Sequence, residues 1–320
     1  MTFFLLAVEV LVSLAVLYLL ILAAVCKFSV SPPRMPQFVT PGLMGEQNET
    51  VTIETPDGEK LRAWWVPCAG KTTVVFAHGY FTNRCEFVPF VTRFRDRGAS
   101  SLFFDHRAHG TSTGKRCTFG IEETLDVASA VAWVQSKRPD DKIVLVGNSM
   151  GALACALMCA NDQDKIAALV LDSPYAMVAE GAAGWWTFFA RGRFKGFLRP
   201  TAIFGRLFTG VDLKSIDLEP ALEKIESVPT LIMFGCHDPL ISREKMDACI
   251  KAAGPLAEVV WFSDSNHARA RFREPERYSE ALFGFLERHG LLTAPDSSRE
   301  RSSACVARDS ASCRIDHVES

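Results

Sequence analysis

The sequence predicts an α/β fold: a mostly parallel central sheet with helices on both faces, a helical insertion, and an N-terminal transmembrane helix. Three observations carry this. Short apolar or β-branched runs alternate with segments of helical periodicity from residue 72 to residue 289, the rhythm of parallel strands joined by right-handed crossovers. Those runs are apolar throughout, as strands covered on both faces are. The first 25 residues are apolar from Phe3 onward, interrupted only by Glu9 and Ser13.

That opening stretch is long enough to cross a hydrocarbon core of ~30 Å at ~1.5 Å per residue, and residues 3–26 read as a membrane anchor. A cleaved signal peptide fits less well. No Lys or Arg precedes the run, and it exceeds the usual apolar core of about 7–15 residues. Lys27 and Arg34 follow the helix, which places the rest of the chain on the cytoplasmic side by the positive-inside rule. Residues 27–47 carry Pro32, Pro33, Pro36 and Pro41 and suit an extended linker.

The domain proper is expected over residues 48–291. Residues 50–55 and 60–66 flank Pro56-Asp57-Gly58, a hairpin signal. Strands are then expected at 72–77, 101–104, 142–146, 167–171, 230–234 and 258–262, with helices at 86–97, 121–137, 150–160, 242–253 and 274–289. The interval 173–228 is too long for one crossover. It holds Trp185, Trp186, Phe188, Phe189, Phe194, Phe197, Phe204 and Phe208, and reads as a helical cap over the sheet's carboxyl edge, where open α/β sheets place ligands. Residues 292–320 turn to Ser, Arg and Asp and read as a disordered tail.

Composition closes off other classes. Lys and Arg total 35 against 37 Asp and Glu, a net charge of −2, so no positive surplus exists to bind a phosphate backbone, and no nucleic-acid partner is expected. The ten cysteines are scattered through apolar runs without C-x-x-C pairs. Cys155 and Cys159 lie one helical turn apart but lack a second ligand pair, so they read as core residues, and neither a metal nor an organic cofactor is expected.

Gly147-Asn148-Ser149-Met150-Gly151 stands between an apolar strand and an apolar helix. In that setting a sharp turn needs small flanking residues and pushes the Ser149 hydroxyl outward at the helix start. Serine is a poor nucleophile without a neighbouring base, and the base needs an orienting acid. Asp238 follows the run 230–234, and His267 follows the run 258–262, so both fall at the same sheet edge as Ser149. The catalytic set is therefore Ser149, His267 and Asp238, with Asp172 as reserve acid and His237 as the weaker candidate base. Two backbone amides should meet a developing oxyanion: Met150 at the elbow and Tyr80, after His78-Gly79 at the end of the strand 72–77. His78 reads as a side chain that braces this loop.

These motifs resemble the α/β-hydrolase superfamily over about residues 48–290. They comprise His78-Gly79, Asp105-x-Arg107-Ala108-His109-Gly110-x-Ser112, Gly147-x-Ser149-x-Gly151, Leu171-Asp172-Ser173-Pro174, and the late Asp238 and His267. Within it the chain is most similar to membrane-anchored serine hydrolases, the serine-aminopeptidase-like group that includes monoacylglycerol lipases. The resemblance implies that Asp105, Arg107 and His109 brace the loop beside the site. Tyr80-Phe81 is bulkier than the small residues frequent after His-Gly in that family.

The expected function is a serine hydrolase that cleaves carboxylic esters, of a lipid or an acyl chain, through an acyl-enzyme. The cap's Arg191, Arg193, Lys195, Arg199 and Arg206 interleave with its rings, a mixture suited either to a lipid surface or to a packed cap with solvated charges. The substrate is a small-molecule ester or lipid, met at a membrane reached through the N-terminal helix. A peptidase or acyl-thioesterase with the same triad is the first alternative, and a non-catalytic membrane-tethered binding protein the second.

Overall fold

The structure, a computed structural model, describes residues 2–175, 206–211 and 217–294. Its elements are α1 (Thr2–Val30), β1 (Glu49–Glu54), β2 (Lys60–Val66), β3 (Thr72–Ala77), α2 (Val91–Arg95), β4 (Ala99–Phe104), α3 (Glu123–Lys137), β5 (Lys142–Asn148), α4 (Met150–Asn161), β6 (Ala168–Asp172), α5 (Glu219–Lys224), β7 (Thr230–Gly235), α6 (Arg243–Ala252), β8 (Ala257–Phe262), α7 (Ala270–Arg273) and α8 (Pro275–Arg288). One eight-stranded sheet runs in the order β1, β2, β4, β3, β5, β6, β7, β8. The hairpin β1–β2 and the pair β2–β4 are antiparallel; every later pairing is parallel.

The continuous apolar runs follow from two cores. Ile143 and Leu145 of β5 enter the layer with Val131 of α3, Leu153 of α4 and Met246 of α6. Val144 and Val146 enter the opposite layer with Phe94 of α2 and Leu282 of α8. A strand alternates its side chains between faces, so no position of β5 after Lys142 reaches solvent.

The helix expected at 86–97 is shorter. Only Val91–Arg95 is α-helical, after a 3₁₀ turn at Val88–Phe90. Pro89 has no amide to donate, so an α-helix cannot carry a hydrogen bond through this position and the segment opens as a 3₁₀ turn. Helix α7 was not expected.

Helix α1 is long and apolar enough to cross a membrane over Phe3–Val30. It continues past residue 26, and its end is docked: Leu22, Cys26 and Val30, one turn apart in succession, are buried. The linker after it has no regular secondary structure from Pro32 to Thr40 but is not free. Asn83 Nδ2 donates to the Met35 and Pro36 carbonyls at 2.9 and 3.1 Å, and Arg95 pairs with Glu46 at 2.7 Å. Of the cap, Arg206 and Phe208 lie among the described residues, and Phe208 is partly buried against the core. The other cap aromatic and basic residues named above, and the tail beyond residue 294 with Cys305 and Cys313, lie outside them.

Candidate active site

Ser149 occupies the turn between β5 and α4 at φ 51°, ψ −110°. Such a backbone costs ~1–3 kcal/mol unless its surroundings impose it. Here they do: the Ser149 amide donates to the Asp172 carbonyl at 2.9 Å, and its carbonyl accepts from Leu153 at 3.1 Å. Gly151 lets α4 close onto β3, since a Cβ there would lie 2.7 Å from the His78 carbonyl oxygen.

At the same sheet edge, Asp238 follows β7 and His267 follows β8. The Asp238 turn is tied to the histidine loop by His237 N donating to the Ser265 carbonyl at 3.0 Å. His267 Nδ1 lies 2.7 Å from Asp238 Oδ2, and His267 Nε2 lies 2.8 Å from Ser149 Oγ. A carboxylate accepts a hydrogen bond from Nδ1–H and leaves the Nε2 lone pair toward the serine hydroxyl. The three side chains thus form a path able to draw a proton from the hydroxyl as it attacks.

The two reserve candidates lie elsewhere. His237 is exposed. Asp172 is fully engaged below the site, bonded to Arg271 at 3.2 Å and to the Tyr278 hydroxyl at 2.9 Å.

Of the two residues expected to supply oxyanion amides, Met150 follows Ser149 directly and Tyr80 follows Gly79 in the loop beside it. Met150 opens α4, where the first amides have no intrahelical acceptor. On the other side a Cβ on Gly79 would lie 2.7 Å from Asn148 Oδ1 and 3.5 Å from Ser149 Cβ, so this loop passes directly over the nucleophile. The Gly79 amide is committed to Glu86 Oε2 at 2.7 Å, which leaves Tyr80 as the next amide of the loop. The Tyr80 side chain turns away: its hydroxyl donates to the Ser29 carbonyl, and its ring meets Phe81 and Phe119 at centroid distances of 4.2 and 5.0 Å.

Sequence reasoning missed a buried charge network beneath the site. Arg271 of α7 bonds Glu86 at 2.5 Å, and these side chains are 7% and 5% exposed. Burial raises the Glu86 pKa, but Arg271 and the Gly79 amide outweigh it and hold the carboxyl below its usual range. Ser173 Oγ donates to Asp172 at 3.0 Å and accepts from the Ala268 amide at 3.0 Å. The network therefore joins the Gly79 loop to the residue after His267. Its residues gave no usable signal: Glu86 precedes an amphipathic run, and Arg271 stands between Arg269 and Arg273, so each reads as a solvated charge.

The segment after β4 braces the site from the side. Asp105 accepts from the Arg84 and Thr111 amides, both at 2.8 Å, and the Ser112 hydroxyl donates to the Asp105 carbonyl at 2.6 Å. Arg107 spans Asp126 and Asp57 at 2.8 and 2.7 Å. His78 accepts from the His106 amide at 3.0 Å, and its ring lies 4.9 Å from that of His106 and 5.1 Å from that of His109. Burial depresses all three imidazoles, His78 and His109 to about 4 and His106 well below its ordinary value. They are neutral packing groups. Among the described residues no group of His, Cys, Asp or Glu is arranged to hold a metal ion. The described cysteines are free thiols, five of them buried.

This architecture and its serine turn define an α/β hydrolase. Residues 69–202 match the family model described as serine aminopeptidase, S33. The fold is similar to an esterase of Pyrococcus furiosus, with a TM-score of 0.70 and 29% identity over 81% of this chain and 98% of that one. An alpha/beta hydrolase domain-containing protein of Arabidopsis thaliana is 24% identical over 82% of this chain and 84% of its own. A monoacylglycerol lipase of Mycolicibacterium smegmatis is 24% identical over 59% of this chain and 63% of its own. These similarities all fall among esterase- and lipase-like, serine-aminopeptidase-related proteins of the α/β-hydrolase superfamily.

Proposed function

We infer that this hydrolase cleaves carboxylic esters of lipid or acyl substrates by serine catalysis. The observation that carries the reading is the continuous path from Ser149 Oγ through His267 to Asp238, at 2.8 and 2.7 Å. Ser149 attacks the ester carbonyl while His267 Nε2 takes its proton, and the amides of Met150 and Tyr80 receive the oxyanion. As the tetrahedral adduct collapses, its carbon–oxygen bond breaks and His267 returns the proton to the departing alkoxide. Water, deprotonated by the same imidazole, then attacks the acyl-serine; the acyl–oxygen bond breaks, His267 returns the proton to Ser149 Oγ, and the acid is released. Asp238 fixes the tautomer throughout.

The lipid substrate class is supported by the apolar helix α1 and by the similarity to a monoacylglycerol lipase. Residues 3–26 are the anchor and residues 48–291 the catalytic domain, on the cytoplasmic side because Lys27 and Arg34 follow the span. A second reading, peptidase, is favoured by the description of the family model. A fluorophosphonate probe should label the wild type and not Ser149→Ala; an unlabelled, folded wild type defeats serine catalysis. Matched p-nitrophenyl esters, acyl-coenzyme A and aminoacyl amides then rank the substrates, and a strong preference for the amide selects the peptidase.

A further inference from the structure

The end of the apolar helix is built into the walls of the site. Residues 28–34 touch both loops that frame Ser149. On the Gly79 side, the Ser29 carbonyl accepts from the Tyr80 hydroxyl, and the Phe28 ring lies 6.3 Å from that of Phe81. On the other side, the Val30 carbonyl accepts from the Cys117 amide at 2.7 Å, and Cys117 Sγ rests 3.3 Å from Met150 Sδ. Arg34 completes the clamp. Its Nη1 donates to the carbonyls of His109, Gly110 and Ser112 at 3.1, 3.1 and 2.6 Å, and its Nη2 to that of Gly114 at 3.0 Å. The segment therefore contacts Tyr80 directly and reaches Met150 through one intervening side chain. These are the two residues whose amides face the oxyanion in the proposed reaction.

We propose that the docked end of the N-terminal helix and the Arg34 strap set the spacing of the oxyanion-binding amides, with the Tyr80 hydroxyl and Arg34 acting as positioning groups. This rests on the serine-hydrolase reading. Four directed carbonyl contacts from one guanidinium use its fork geometry, which a lysine ammonium lacks. Phe81 supports the same conclusion: it holds a left-handed backbone at φ 62°, which a bulky residue adopts only where its surroundings impose it. Displaced amides would weaken binding of the tetrahedral adduct more than binding of the planar ester, so the loss should fall on kcat.

The test uses the full-length protein in detergent micelles with p-nitrophenyl butyrate, comparing wild type, Tyr80→Phe, Arg34→Ala and Arg34→Lys. Tyr80→Phe and Arg34→Ala should each lower kcat about tenfold with KM within about twofold, a fraction of the loss on deleting an oxyanion donor. Arg34→Lys should recover part of that activity. Thermal midpoints are read alongside. A purely structural role would lower the midpoint and leave kcat, measured well below it, unchanged. If Arg34→Ala does not fold, Tyr80→Phe decides, because it keeps the ring in its aromatic cluster. A wild type that is labelled by fluorophosphonate, with variant kcat values within about twofold of it, overturns the positioning role alone. A folded wild type that is not labelled overturns the serine-hydrolase reading as well.

Discussion

Two aspartates at the ends of neighbouring strands, Asp172 of β6 and Asp238 after β7, have different partners, and substitution separates them. Asp238→Asn should lower kcat by on the order of 10⁴-fold, because the imidazole is then held in the wrong tautomer; steady-state rates on a soluble ester measure this. Asp172 shares Arg271 with Glu86. Arg271→Gln should therefore act on stability. Removing one partner of a buried pair leaves the other uncompensated, at about 3–5 kcal/mol, and urea titration should detect the loss. The position of Asp238 was legible because it stands just past a strand end in chain order between serine and histidine. The anchoring of Asp172 was not, because its partners Glu86 and Arg271 come from loop and short-helix segments that carry no motif.

The elbow shows how strand, turn and helix fix one another. The backbone strain at Ser149 is held by its bonds to Asp172 and Leu153, and α4 approaches β3 so closely that Gly151 has no room for a side chain. Gly151→Ala should force β3 and α4 apart, costing about 1–3 kcal/mol as overpacking does and reducing fluorophosphonate labelling of the protein that remains folded. Normal labelling and stability would show that the contact can relax. The strands could be read from sequence because both their faces enter apolar layers, which leaves a continuous signal. Helix α2 could be read only in outline, since Pro89 interrupts a pattern that otherwise has helical spacing. Helix α7 is too short for any period to be seen.

Across the molecule, the neutral cluster of His78, His106 and His109 links stability to pH. Burial lowers His78 and His109 from 6.5 to about 4. The unfolded chain therefore binds more protons over that interval, and stability falls as pH drops from 6.5 toward 4. His78 alone contributes on the order of 3 kcal/mol of this loss. Glu86, held below its usual range, adds to the loss at the acid end. Burial raises the Asp126 pKa to about 6, which opposes this loss between pH 6 and 4, so the histidine contribution is read by comparison: midpoints should fall more steeply with acid in the wild type than in His78→Asn, and equal slopes would mean that water reaches the imidazole. The long apolar segment was visible in composition, but its contacts were not: proline content and lack of periodicity suggest an extended linker, whereas the carbonyls that hold Arg34 are 75 to 80 residues away in sequence. That attachment has a mechanical consequence. In the proposed anchored state, an apolar rod whose last turns are clamped inside the folded globule leaves no slack, so the catalytic mouth would be carried at one height and one tilt above the bilayer. Its reach would be limited to molecules resident at that depth.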